Sequence, residues 1–303
     1  VQFSKVRGLL NTRQQLLIDL HIHTTCSDGS FTPEQAVDYA RRANLAAISI
    51  TDHDTTDGIE RALIHGARNG IEVIPGVELS VQDEDNAEEE IHILGYFIDW
   101  KASFFQQKLE YFRSTRRERA RKMHELLSKK GVVLDLNKLL EATGTATIGR
   151  MHFARALQSS GYISNTEEAF EKYIGPGRPA FVPKVNISAE EAIQMLLRIG
   201  GIPVIAHPMY GANSRRMIKK LVKAGIKGIE VYHPRHGMND IERFKLLADE
   251  FDLVITGGSD CHGGANDRRT SMSRLKIPYD LLLNLKRSKK LLDKQAENIL
   301  ESG

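Results

Sequence analysis

Two cysteines in 303 residues, Cys26 and Cys261, are too few for a disulfide scaffold. No apolar run approaches the ~20 residues that a membrane-spanning helix needs. The first residues, Val1 to Gln15, are too polar for a signal peptide and lack an initiator Met, so they read as a trimmed end and the expected location is cytoplasmic. Charge of neither sign prevails. Forty-two Lys and Arg against 39 Asp and Glu leave +3, short of the basic excess expected of a general nucleic-acid coat. Internal repeats and low-complexity tracts are also missing. Apolar residues at 41% and charged residues at 27% then describe an ordinary globular chain, long enough for one large domain or a domain with an insertion.

The chain alternates strand-like and helix-like segments. Leu16–His21, Ala46–Ile50 and Ile71–Ile74 read as buried strands, separated by helices over Thr32–Ala43 and Ile59–Asn69. Thr32-Pro33-Glu34 opens the first helix with a hydroxyl cap and proline in the first turn. This is βαβαβ spacing, so a parallel sheet covered by helices is expected and the fold class is α/β. Val77–Val81 and Ile91–Ile98 flank the acidic run Asp83–Glu90, which reads as a solvated hairpin loop. After Trp100 comes a basic helix, Ser103–Lys130, then shorter helices at Leu136–Thr143 and His152–Ser159 and a Gly-Pro-Gly-Arg-Pro break at Gly175. Alternation resumes from Ala189 with strands near Pro203, Gly228 and Leu253 and a last helix over Pro278–Leu300. About seven strands suit a barrel divided as 1–100 and 187–303, with a mostly helical insertion at 101–186 as a substrate lid.

Histidine is abundant, at eleven residues. In Asp19-Leu20-His21-Ile22-His23, residues two apart share a strand face, so both imidazoles can enter one cavity. With Asp28 from the following loop they are suitable ligands for Zn, Mn or Fe. Taken alone, His-x-His equally fits two hydrogen-bonded core histidines. The pattern recurs, however, in Thr51-Asp52-His53-Asp54, Glu78, His92, Ala206-His207-Pro208, Tyr232-His233-Pro234 and Ser259-Asp260-Cys261-His262. Each cluster follows or lies in an apolar strand, which gathers them on the face where α/β folds place their chemistry.

This ordered set resembles the PHP (polymerase and histidinol phosphatase) domain family over about 17–98 and 187–270. The resemblance implies a distorted (β/α)7 barrel with two or three divalent metal ions, Mn²⁺ foremost and Fe²⁺ or Zn²⁺ as alternatives. It implies that His21, His23, Glu78 and Asp260 hold one ion, that Glu78 bridges to a second held by His92 and His207, and that Asp28, His53 and His262 hold a third. Some members carry His where this chain has Asp28; a carboxylate there can still bind Mn²⁺ or Fe²⁺. Such ions lower the pKa of a water and neutralise phosphate charge, so no protein nucleophile is required. Asp52 is expected to orient a ligand imidazole. Cys26 and Cys261, beside the ligands, read as small buried residues, with a redox or nucleophilic role as the alternative.

The insertion resembles that of small stand-alone phosphoesterases acting on nucleotides. Gly149-Arg150-Met151-His152 is similar to their Gly-Arg-Pro-His segment, with Met151 replacing Pro, and Gly177 to Lys184 also has a counterpart. This implies that Arg150, His152 and Lys184 hold a second phosphate, and His233 and Arg235 are further candidates for substrate contact. Otherwise Arg150 caps a helix and Lys184 is solvated. The basic helix, with Arg113, Arg116, Arg117, Arg119, Arg121 and Lys122, is either a solvated face paired with Glu110, Glu118 and Glu125 or a guide for a nucleotide or RNA backbone. The implied activity is removal of the 3′-phosphate from 3′,5′-nucleoside bisphosphates, with trimming of short RNA from its 5′ end as a second possibility. No obligate protein partner is evident. The rivals are histidinol phosphate phosphatase, an amidohydrolase-like C–N or C–O hydrolase, and a non-catalytic metal-binding module.

Overall fold

A computed structural model describes residues 16–82, 90–143, 148–183, 187–209, 211, 214–263, 272 and 274–302. Most of the acidic run and all of Lys184 lie outside the described residues.

The first half runs β1 (Leu17–Ile22), α1 (Pro33–Arg42), β2 (Leu45–Ile50), α2 (Ile59–Asn69), β3 (Glu72–Gln82) and β4 (Glu90–Tyr96). Thr32 starts α1 with a capping box, its hydroxyl accepting from the Gln35 amide while the Gln35 side chain accepts from Thr32. The expected strands at Ile71 and Val77 are one strand, β3. It continues through Gly76 because the backbone there passes against Ser49 and Thr51, where a Cβ would meet Ser49 Oγ at 2.4 Å.

Then come α3 (Ser103–Ser128), α4 (Leu136–Thr143), α5 (Arg150–Ser159) and α6 (Thr166–Ala169), the last continued by one π-helical turn over Phe170–Ile174. The second half runs β5 (Ile187–Ser188), α7 (Ala189–Arg198), β6 (Ile202–Ile205), α8 (Ser214–Lys223), β7 (Gly228–Tyr232), α9 (Met238–Glu250), β8 (Val254–Gly257), β9 (Ile277–Pro278) and α10 (Asp280–Ser302). Phe105, Leu109 and Phe112 at the start of α3 pack into the core shared by β3, β4, β6 and β7. From Ala120 onward α3 contributes Met123 and Leu127 to a separate core with Phe153, Leu157 and Ile174. The change of partner falls inside α3, so one continuous helix joins both cores.

The sheet order is β8-β7-β6-β4-β3-β2-β1-β9, with β5 alongside β3. Seven strands form the wall of a nearly closed barrel, and the two-residue β5 and β9 are additions. All neighbours in the wall are parallel except β4, which runs against both β3 and β6. The seam between β8 and β1 is drawn together near the ligand end, where His23 N–H donates to Cys261 C=O at 2.9 Å and Cys261 N–H to His21 C=O at 3.3 Å. Just before it, Ser259 N–H donates to Asp19 Oδ1 at 2.9 Å.

Gly258 makes this closure possible. A Cβ there would sit 2.2 Å from His21 Cβ and 2.5 Å from its backbone nitrogen. Backbone cannot yield as a flexible side chain can, so Gly258→Ala is expected to cost at least the ~1–3 kcal/mol of ordinary overpacking. Urea denaturation checks this; an unchanged midpoint would show that the seam can spread without loss.

Candidate metal centre

The strand-end histidines do gather. Glu78, in β3 and almost fully buried, lies at their middle. Its Oε1 is 2.9 Å from His92 Nδ1 and 3.0 Å from His207 Nε2. Its Oε2 is 3.1 Å from His53 Nδ1, 3.2 Å from His23 Nε2 and 3.3 Å from His21 Nε2. Asp260 Oδ1 approaches His23 Nε2 to 3.1 Å, and Asp28 Oδ1 approaches His262 Nε2 to 3.2 Å.

All nine expected ligand positions therefore converge. Donor atoms within 4.8 Å of one another form the groups His21-His23-Asp260, His21-Glu78-His207, His53-Glu78-His92 and His23-Asp28-His53-His262. The grouping differs in detail from the expected three sets, since His23 also faces the Asp28 group and His53 also faces Glu78.

These residues fit divalent cations. His23 Nδ1, Asp28 Oδ1, His53 Nδ1 and Glu78 Oε2 are buried, and although polar atoms lie close by, none is aligned for a hydrogen bond with them, whereas buried polar atoms are otherwise nearly always paired. Burial would raise the carboxyls of Glu78, Asp28 and Asp260, but the surrounding imidazoles outweigh it and hold all three well below the usual range. Burial acts the opposite way on His23, yet hydrogen bonds and charge from Asp260 and Glu78 push it up to about 10. A site that draws positive charge this strongly, through nitrogen and oxygen donors, suits such ions.

Left-handed backbone occurs at two of these groups and at Asp54, next to His53. His207 has φ +26°, Asp54 +50° and Asp260 +53°, a region that residues other than glycine rarely enter.

Asp52 does not do what the sequence suggests. Its carboxylate accepts from Thr24 N–H at 2.7 Å, Thr24 Oγ1 at 2.7 Å and Ser27 Oγ at 2.5 Å, so it fastens the loop carrying Asp28 rather than orienting an imidazole. The carboxylate that does contact a ligand ring from behind is Glu230, in β7, with Oε1 3.0 Å from His21 Nδ1. Its signal was a glutamate inside the apolar strand Gly-Ile-Glu-Val-Tyr.

A cavity of about 150 Å³ opens beside the cluster, lined by Asp28, His53, Ser80, His92, Arg116, Arg119, Gly149, Arg150, Met151 and Phe170. The basic helix divides here. Arg117, Arg121 and Lys122 are exposed, and Arg113 pairs with Asp57 and Glu110 at 3.1 Å each. Arg116 turns inward, ion-paired with Asp54 and 3.2 Å from Ser80 Oγ. Burial, with Arg119 and Arg150 nearby, lowers Arg116 to about 9, which leaves it charged at neutral pH. Arg119 Nε donates to Val182 C=O at 2.8 Å, and the Arg150 guanidinium lies over the rings of Phe170 and Phe181.

The other substrate candidates are placed differently. His152 is not part of the cavity lining; its Nδ1 accepts from Gly149 N–H at 3.1 Å, at the start of α5. His233 is buried, with Nε2 3.4 Å from Asp260 Oδ2, and its Nδ1 accepts from Arg235 N–H at 3.2 Å. The Arg235 side chain is exposed. Cys26 and Cys261 are buried and unpaired, and burial pushes both up to about 11, so they remain thiols and offer no nucleophile at neutral pH.

A barrel with clustered cation ligands at its strand ends and arginines over the opening defines a metal-dependent phosphoesterase. Comparison with known proteins carries this further. The PHP domain matches residues 19–130. The 3′,5′-nucleoside bisphosphate phosphatase of Chromobacterium violaceum is 36% identical over 250 residues, covering 81% of this chain and 87% of that protein. The 5′-3′ exoribonuclease Rnm of Escherichia coli is 33% identical over 258 residues, covering 83% and 87%. Among solved structures, a candidate metal-dependent phosphoesterase from Bifidobacterium adolescentis superposes with a TM-score of 0.80 at 27% identity, covering 88% of this chain and 94% of that one. The chain belongs to the PHP domain family. None of the described helices is long and apolar enough to cross a membrane.

Proposed function

We propose that this protein hydrolyses the 3′-phosphate of 3′,5′-nucleoside bisphosphates in the cytoplasm, with two or three divalent cations, Mn²⁺ foremost. The observation that carries this is the shared cavity, in which the ligand cluster meets Arg116, Arg119 and Arg150. That is room for two phosphates of different character, one at the cluster and one among guanidinium groups. The phosphatase from Chromobacterium violaceum is named for such a substrate.

The ligands in this reading are His21, His23, Asp28, His53, Glu78, His92, His207, Asp260 and His262. Cations held there would activate water and neutralise charge on the scissile phosphoryl group. The protein's own part is placement. Asp54 and Ser80 hold Arg116, aromatic rings hold Arg150, and guanidinium forks suit bidentate phosphate contact. Residues 101–186 serve as a lid that supplies all three arginines. A cationic wall opposes the ammonium group of histidinol phosphate. The exposed Arg117, Arg121 and Lys122 favour a second reading, the trimming of RNA ends, an activity for which the Escherichia coli relative is named.

Phosphate release from 3′,5′-bisphosphoadenosine, beside 5′-AMP, 3′-AMP and histidinol phosphate, tests the proposal. Turnover of the bisphosphate alone is the expected result, and preference for histidinol phosphate would overturn it. Dialysis against a chelator is expected to abolish turnover, with recovery on adding Mn²⁺. The thermal midpoint should fall with it, since an ion at 100 times its Kd stabilises by about 2.7 kcal/mol. Full activity after verified metal removal would refute the metal centre.

A further inference from the structure

Glu230 is completely buried and reaches ligand residues on two other strands. One carboxylate oxygen lies 3.0 Å from His21 Nδ1, and the other accepts from His207 N–H at 2.8 Å. An ionised carboxylate only accepts hydrogen bonds, so His21 must carry its proton on Nδ1. Its Nε2 is then the ring atom that faces Glu78 Oε2 and His23 Nε2, 3.3 and 3.2 Å away. At His207 the same carboxylate holds a backbone amide whose residue sits at φ +26°. His21 and His207 belong together in one potential ligand group with Glu78, yet come from β1 and from the end of β6.

We propose that Glu230 is a positioning residue that fixes the tautomer of His21 and the strained backbone of His207 together, and thereby sets cation affinity where their ligand groups meet. The proposal rests on reading the cluster as a metal centre, and not on the identity of the substrate.

Glutamine has the shape of glutamate but cannot do both tasks. If its oxygen accepts from His207, its NH₂ donates to His21 Nδ1 and forces the ring proton onto Nε2, facing the ligands. If it is flipped, NH₂ opposes the His207 N–H. Aspartate is one methylene shorter and reaches only one partner. Partners behind a ligand histidine commonly matter by 10–100-fold in metal affinity.

The test is Mn²⁺ binding to the full chain, by equilibrium dialysis with metal analysis, for wild type and Glu230→Gln, beside thermal unfolding of both metal-free proteins. A loss of about 10–100-fold in affinity of at least one ion, with matching metal-free midpoints, is expected. Equal affinity and stoichiometry would overturn the positioning role while leaving the metal centre intact. Absence of Mn²⁺ binding by wild type would overturn both. Should Glu230→Gln fail to fold, ¹⁵N-histidine spectra of the Zn²⁺-loaded wild type decide, with the His21 signal assigned by its loss in His21→Ala. A protonated Nδ1 on His21 supports the proposal, and a protonated Nε2 refutes it.

Discussion

Glu78→Gln is expected to lower kcat/KM by at least ~10³-fold and to strip metal from the purified protein. One carboxylate stands between five imidazoles, two at Oε1 and three at Oε2. A neutral amide presents a donor to one of those rows and removes the negative charge that would hold cations there. Lewis-acid stabilisation of a phosphoryl transition state is worth several kcal/mol, and each 1.36 kcal/mol is tenfold in rate. Steady-state kinetics with metal analysis would check this. Glu78→Asp is a stringent companion, because the shorter side chain keeps the charge but cannot span both rows. Retention of full metal content and rate by Glu78→Gln would mean that Glu78 is not a bridging ligand.

Arg116→Met should be nearly as severe, for a different reason. Arg116 and Asp54 form a buried pair, with side chains 8% and 3% exposed, so removing the guanidinium takes from Asp54 a cation it meets inside the protein. Breaking such a pair costs about 3–5 kcal/mol. Urea denaturation should show that loss, and the double variant Arg116→Met with Asp54→Asn should recover part of it. Turnover of the bisphosphate should fall by roughly 30- to several-thousand-fold, the equivalent of ~2–5 kcal/mol, while Mn²⁺ content is kept. A double variant no more stable than the single one would show that Asp54 is not the penalised group.

Much of this centre was legible because a strand has period two and α/β folds expose their strand ends. His21 and His23 had to share a face, and His53, His207 and His262 each followed an apolar run. The βα alternation placed the strands to within a residue or two, as in β2 and β7, where apolar runs end abruptly. What escaped depended on contacts between distant segments. Asp52 adjoins His53 in sequence, but its carboxylate is claimed by Thr24 and Ser27. Glu230 is a single polar residue in an apolar strand, and only the packing of β7 beside β1 and β6 residues gives it partners. Arg116 was hidden in a basic run, although Phe112, Arg116 and Ala120 follow the helical spacing of one buried face. The strands β5 and β9 have two residues each, too short for any periodicity to show.

The closure of the barrel has a consequence for how a newly made chain acquires its chemistry. Asp19 and Ser259 meet across 240 positions of sequence, and His21 and His23 join Asp260 and His262 over the same seam. Such pairings lie late on a folding path, because the entropy of closing a very long loop must be met before they form. On a ribosome, the first histidines wait through nearly the whole of synthesis for their partners. The earlier strands can assemble during that time, but the centre cannot be complete until the last strand of the wall has emerged. Three of the four potential ligand groups are therefore completed only by the second half of the chain, whereas His53, Glu78 and His92 can meet before it is made.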